Sequence, residues 1–123
     1  MEARDLAVGL ATGRVAIGVA SILAPGVVGR AMIGRDGDSR GTRLFLRAVG
    51  ARDLALGLGV LVALKREAPV RGWLRASAMA DGLDAAGCLL ARHQLRPIVF
   101  PAAAGAATSG ALLSGWLVGQ LDA

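Results

Sequence analysis

The 123-residue sequence predicts an all-α fold: a four-helix transmembrane bundle with antiparallel, up-down topology. Three observations carry this. Hydrophobic residues make up 54% of the chain and charged residues 19%, against about 45–50% and about 25% in soluble domains. Residues 97–121 contain no formal charge, and roughly 20 mainly apolar residues cross a bilayer core as a helix. Proline, glycine and charge clusters cut the remainder into segments of similar length.

The first span covers 6–24 and stops before Pro25-Gly26. A polar loop follows, with GRDGDSRG (34–41) at its centre. The second span, 44–64, is closed by Lys65, Arg66, Glu67 and Pro69, and the third, 72–91, by Arg92 and His93. The fourth, 97–120, opens on Pro97, a residue suited to a helix's first turn. Together they form one integral membrane domain over 1–123, and the short loops imply antiparallel neighbours. Helix is the form expected, because bilayer interior offers backbone groups no water. Glu2 and Asp5 at the start, and Arg14 within the apolar run, mark a retained first helix rather than a cleaved leader.

Four passes place Trp73 and Trp116 at one interface and Phe45 and Phe100 at the other. The first and third loops hold Arg30, Arg35, Arg40, Arg43, Arg92 and Arg96. Arg4, Lys65, Arg66 and Arg71 lie on the opposite side, so the balance leans toward cytoplasmic first and third loops. Eighteen glycines are costly for helices in water but let helices approach closely in lipid. Gly9/Gly13 and Gly115/Gly119 have four-residue spacing, and Ala103, Ala107 and Ala111 extend a small ridge, so all are expected at helix contacts, either within the bundle or between protomers.

The net charge of +5 comes from scattered arginines with only four Phe and Trp residues. That pattern argues against nucleic acid and for a lipid bilayer as partner. The single cysteine, Cys88, excludes an internal disulfide and reads as a packing residue. His93 reads as solvent-facing, and Ser, Cys and His show no nucleophilic spacing. ARDLAVGL (3–10) and ARDLALGL (51–58) differ at one position, with no wider repeat around them.

Six ionisable residues lie well inside the spans: Arg14, Arg47, Arg52, Asp53, Asp81 and Asp84. One such residue at mid-membrane costs roughly 2.5–3.5 kcal/mol, and six unpaired would cost on the order of 15–20 kcal/mol. Three positive against three negative makes mutual pairing the economical solution, giving an intramembrane charge cluster. At 100° per residue, Ser77, Asp81, Asp84 and Cys88 share one face of the third helix. Arg52 is expected to pair with Asp81 or Asp84, and Asp53 with Arg14. Arg52, Ser77, Asp81 and Asp84 are accordingly the candidate headgroup-binding residues.

ADGLDAAG (80–87) invites comparison with metal-binding motifs of lipid headgroup transferases, which need further aspartates at helical spacing. Position 78 is alanine and the next aspartate after Asp84 is Asp122, so no metal site is assigned. Structural ion pairing is the expected role of Asp81 and Asp84.

GRVAIGVASILAP (13–25), RAVGARDLALGLGVLVAL (47–64) and WLRASAMADGLDAAG (73–87) together resemble a group of small bacterial integral membrane proteins of uncharacterised activity. That group is similar in size and plan to the DoxX-like membrane proteins. GARDLALG is the most specific part of the resemblance, and the fourth helix matches only in general hydrophobicity. The resemblance implies a four-helix transmembrane bundle in the cell membrane and brings no catalytic residues.

Four functions fit these residues. The first is a non-enzymatic accessory or structural membrane component, associating with itself or a larger complex. The second is lipid or quinone binding, with a redox association. The third is a lipid- or isoprenoid-modifying enzyme using Asp81 and Asp84, and the fourth is proton or ion translocation through the same carboxylates. No cofactor beyond a bound lipid or quinone is expected.

Overall fold

A computed structural model describes residues 2–121. Helix α1 (Ala3–Leu23) ends just before Pro25, but Pro25 does not open a loop. It stands at the first turn of a second helix, α2 (Pro25–Ile33), where its missing N–H is no loss. A 3₁₀ turn (Gly34–Asp38) follows. The segment expected to be a polar loop is therefore folded, and Asp38 fastens it. Arg43 donates to Asp38 Oδ1 through Nε at 2.6 Å, and Arg30 donates to Oδ2. Gly29 and Gly37 meet backbone to backbone, an approach that any side chain would block.

Helix α3 (Arg40–Lys65) begins four residues before the expected 44 because Ser39 caps it. The Ser39 hydroxyl accepts from the Thr42 amide at 3.2 Å, satisfying one of the orphan donors of the first turn. Helices α4 (Arg71–Leu90) and α5 (Val99–Leu121) complete the chain. Pro97 lies in the turn before α5 rather than within it. That turn is tied back to α2, where the Arg96 amide donates to the Met32 carbonyl at 3.2 Å.

The described residues are all-helical, without strands. Two helices, α1 and α5, are long and apolar enough to cross a membrane. Helices α3 and α4 match them in length but carry Arg47, Arg52 and Asp53, and Arg75, Asp81 and Asp84, respectively.

Helix α1 packs chiefly on α3, and α4 chiefly on α5. Along the first pair the partner number falls as the α1 number rises: Arg4 meets Leu64, Arg14 meets Asp53, Gly18 meets Gly50 and Ile22 meets Arg47. Close approach comes from glycine. A Cβ on Gly18 or Gly50 would lie 2.7 Å from the other's carbonyl oxygen, and one on Gly57 would lie 2.7 Å from the Ala11 oxygen. The glycines of the four-residue pairs do not make these contacts within the chain. Added methyls at Gly9, Gly13, Gly115 and Gly119 meet nothing within 4 Å, so these positions face open space. Their four-residue spacing recurs by helical geometry on any face, including an unpacked one.

The main apolar core lies at the end where α1 begins and α5 ends, where Ala7, Ala11, Val60, Leu64, Val70, Leu74 and Leu117 pack together, while Leu46 and Ala80 are buried outside it. Elsewhere the polarity is inverted. Arg14, Asp53 and Asp81 are each 8% exposed, whereas Ile17 is 60%, Leu83 67% and Leu90 84% exposed. Trp73, Trp116 and Phe45 are also exposed. Leaving such side chains in water forfeits about 1.5–3 kcal/mol each.

Candidate functional site

The buried charges form one alternating network. Arg14 on α1 donates through Nη1 to Asp53 Oδ1 on α3 at 2.9 Å, and through Nη2 to Asp81 Oδ2 on α4. Arg52 on α3 grips Asp84 on α4 with two parallel bonds, Nη1 to Oδ1 at 3.0 Å and Nη2 to Oδ2 at 2.6 Å. The same Nη2 donates to Asp53 Oδ1 at 3.1 Å. Read around the bundle, the order is Asp81, Arg14, Asp53, Arg52, Asp84. Charge-assisted and bidentate bonds of this kind are the strong ones. The network grades outward, from buried Arg14, Asp53 and Asp81 to half-buried Arg52 and Asp84.

Arg47 is not a member. It lies five residues before Arg52, about 140° around α3 at 100° per residue. From there it donates through Nε to the Ile22 carbonyl at 3.1 Å. Ile22 belongs to the last turn of α1, whose carbonyls lack helical partners. Arg4 does the reciprocal service, donating to the Leu64 carbonyl in the last turn of α3 at 2.7 Å. Arg92 reaches the Leu89 carbonyl near the end of α4 in the same way. Counting charges by type put these arginines with the loops or the cluster; they work as caps on helix C-termini. The consequence for the network is an imbalance: two guanidinium groups face three carboxylates.

Helix α5 shapes the site without contributing charge. A Cβ on Gly110 would lie 2.6 Å from Asp81 Oδ2, so only glycine leaves that carboxylate its place. One turn on, Ser114 is fully buried and its hydroxyl has no hydrogen-bond partner among the described residues. It lines a cavity of about 10 Å³ with Arg14 and Ser77, the latter 2% exposed. Nothing in the sequence distinguishes Gly110 and Ser114 from the other small residues of α5.

A lateral cleft of about 390 Å³ opens between α1 and α5. Gly9, Gly13 and Ile17 of α1 form one wall, and Ala106, Ala107 and Gly110 of α5 the other. Arg14, Asp53, Asp81 and Asp84 line it as well. Its volume falls within the roughly 300–1,000 Å³ of ligand pockets. Of the four candidate headgroup-binding residues, Asp81 and Asp84 line the cleft, Arg52 holds Asp84 and Asp53 in position, and Ser77 lies in the inner cavity. Cys88 is half-buried one helical turn beyond Asp84, and His93 is exposed. Among the described residues, no group of three or more His, Cys, Asp or Glu side chains is arranged to hold a metal ion.

Comparison of the chain with known protein families, with characterised proteins and with solved structures gave no match.

Proposed function

We propose that this chain is a multi-pass cell-membrane protein, a four-helix antiparallel bundle that binds the polar headgroup of a membrane amphiphile in the cleft between α1 and α5. The observation that carries the reading is the cleft itself, apolar and small-walled at the side yet lined by the charge network within. The inverted polarity supports the bilayer, since large apolar side chains such as Ile17, Leu83 and Leu90 are exposed while Arg14, Asp53 and Asp81 are buried. Four passes are supported by the network, because Arg52 and Asp53 on α3, and Asp81 and Asp84 on α4, are bonded within it rather than presented to lipid. The reversed register of α1 against α3 supports the antiparallel arrangement. A lipid or quinone entering sideways would keep its tail in the membrane and bring only its head to the floor.

One observation favours a second reading, an accessory or structural membrane component. Each of the three carboxylates already accepts from an arginine, as a purely architectural network would require. Native mass spectrometry of the detergent-extracted protein separates the two. A retained amphiphile that disappears in Gly13→Leu, a substitution directed into the open cleft, supports binding. A stoichiometric protein partner without any retained amphiphile supports the accessory role. Recovery of the chain as a water-soluble monomer without detergent defeats both.

A further inference from the structure

We propose that the headgroup taken by the α1–α5 cleft is a single organic cation, an alkylammonium on an apolar tail; this rests on the headgroup-binding reading above. The first ground is charge. Asp53, Asp81 and Asp84 line the cleft, with Arg14 beside them and Arg52 bonded to Asp53 and Asp84. One negative charge is left over. The cation that would have balanced it, Arg47, is engaged with the Ile22 carbonyl at the end of α1. The opposite wall cannot supply one, since residues 97–121, which include all of α5, contain no charged side chain. A charge held away from water is expensive until it is matched, and a monocation matches this one.

Donor count is the second ground. Arg52 occupies both oxygens of Asp84, but both arginines converge on Oδ1 of Asp53, and Arg14 uses only Oδ2 of Asp81. Asp53 Oδ2 and Asp81 Oδ1 receive no bond from either arginine, and a primary ammonium brings three donors and no acceptor. Arg14 also lines a separate inner cavity of about 10 Å³, where the Ser114 hydroxyl is fully buried and without a hydrogen-bond partner among the described residues. A neutral quinone would leave the excess charge unmatched, and an anionic head would add to it.

Shape is the third. Glycine at 9 and 13 faces alanine and glycine across the opening, leaving room for an alkyl chain to run out past Ile17. The stripe of small residues on α1 is thus one wall of a portal.

The test uses the protein in maltoside micelles with three probes of equal tail: hexadecylammonium, hexadecanol and hexadecyl sulfate. Native mass spectrometry is expected to show the ammonium retained about ten-fold over the alcohol, and the sulfate excluded. Asp84→Asn and Asp81→Asn each leave two acids against two bases, so both should reduce that preference to near unity while the alcohol still binds. Circular dichroism shows whether each variant keeps its helices, and two separate positions guard against a local folding failure. Gly13→Leu should retain none of the probes. Equal retention of ammonium and alcohol by the unaltered protein overturns the cationic assignment and leaves headgroup binding intact. Retention of no probe, with Gly13→Leu indistinguishable, overturns headgroup binding itself.

Discussion

Arg14 and Asp53 face each other across α1 and α3 at 2.9 Å, and the same guanidinium also binds Asp81 on α4. One side chain therefore fastens three helices. The backbones can come that close because Gly18 and Gly50 meet one turn away. The cap bonds of Arg4 and Arg47 then fix the two ends of the α1–α3 pair in the same register. A slip of one residue would break the ion pair, the glycine contact and both caps together. The network so specifies an alignment that the small and sparse apolar core could not specify alone.

Arg14→Leu should accordingly be the most damaging single change in the network. It leaves three carboxylates with Arg52 alone, two of them buried. Removing one member of a buried pair costs about 3–5 kcal/mol. Denaturant unfolding of the detergent-solubilised protein measures the loss. Arg14→Lys should recover only part of it, because one compact ammonium cannot fork between carboxylates on two helices. A Leu variant as stable as the parent would show that the network does not hold the helices together.

Arg47→Ala tests the separation of this arginine from the network. It frees the Ile22 carbonyl, a loss of about 0.5–1.5 kcal/mol for one hydrogen bond. Hydrogen exchange should quicken at the Ala24 amide, which closes the last turn of α1, and stay unchanged around Asp53. If Arg47→Ala instead matches Arg14→Leu in severity, Arg47 belongs to the charge balance after all.

Glycine substitutions should divide by contact rather than by spacing. Gly18→Ala puts a methyl 2.7 Å from the Gly50 oxygen and must push α1 off α3, costing about 1–3 kcal/mol. Gly13→Ala meets nothing and should stabilise by about 0.5–1 kcal/mol through helix propensity. Paired thermal unfolding curves decide it. The same stabilisation in both variants would mean that the close α1–α3 approach is not maintained in solution.

The long helices were legible because mainly apolar runs of about 20 residues bounded by Pro, Gly and charge leave little else for such segments to form. Individual fates were not. ARDLAVGL and ARDLALGL are nearly one octapeptide, yet Arg4 caps a helix end while Arg52 sits among carboxylates. Depth in the bundle decides, and composition does not encode depth. Helical angles placed Asp81 and Asp84 on one face, but Asp81 goes to Arg14 and Asp84 to Arg52, a choice made by which helix lies opposite. Pro25 and GRDGDSRG read as breakers, and the fold around Asp38 depends on Arg30 and Arg43 approaching from two helices. Gly110 and Ser114 carry no signature of their own, because their roles are defined by neighbours on other helices.

The Asp38 clasp should make the 25–43 segment acid-sensitive. The hydrogen bond from Arg43, with Arg30 beside it, holds the Asp38 carboxyl below its ordinary value of 3.8. A lowered folded-state pKa means that the clasp contributes fully above the unfolded value. That contribution is lost as pH falls below 3.8 through the folded one. Hydrogen exchange of the 34–41 amides, corrected for its intrinsic pH dependence, should therefore accelerate over that acid window and not between neutral pH and 5. Asp38→Asn should exchange faster at neutral pH and lose this local acid response. An unchanged response in the Asn variant would assign the effect to another carboxylate.

Ser114 provides the sharpest contrast between a polar residue held for packing and one held for bonding. Its hydroxyl is fully buried with no hydrogen-bond partner among the described residues, and an unsatisfied buried polar group costs about 1–3 kcal/mol. Ser114→Ala removes the group while leaving almost the same volume, so it should raise the unfolding midpoint. Ser114→Val, which adds methyl groups where only about 10 Å³ is open beside Arg14 and Ser77, should lower it through overpacking. Thermal unfolding of both variants in the same detergent gives the two signs. A destabilised Ala variant would mean that the hydroxyl is bonded in solution, through a water held in that small cavity.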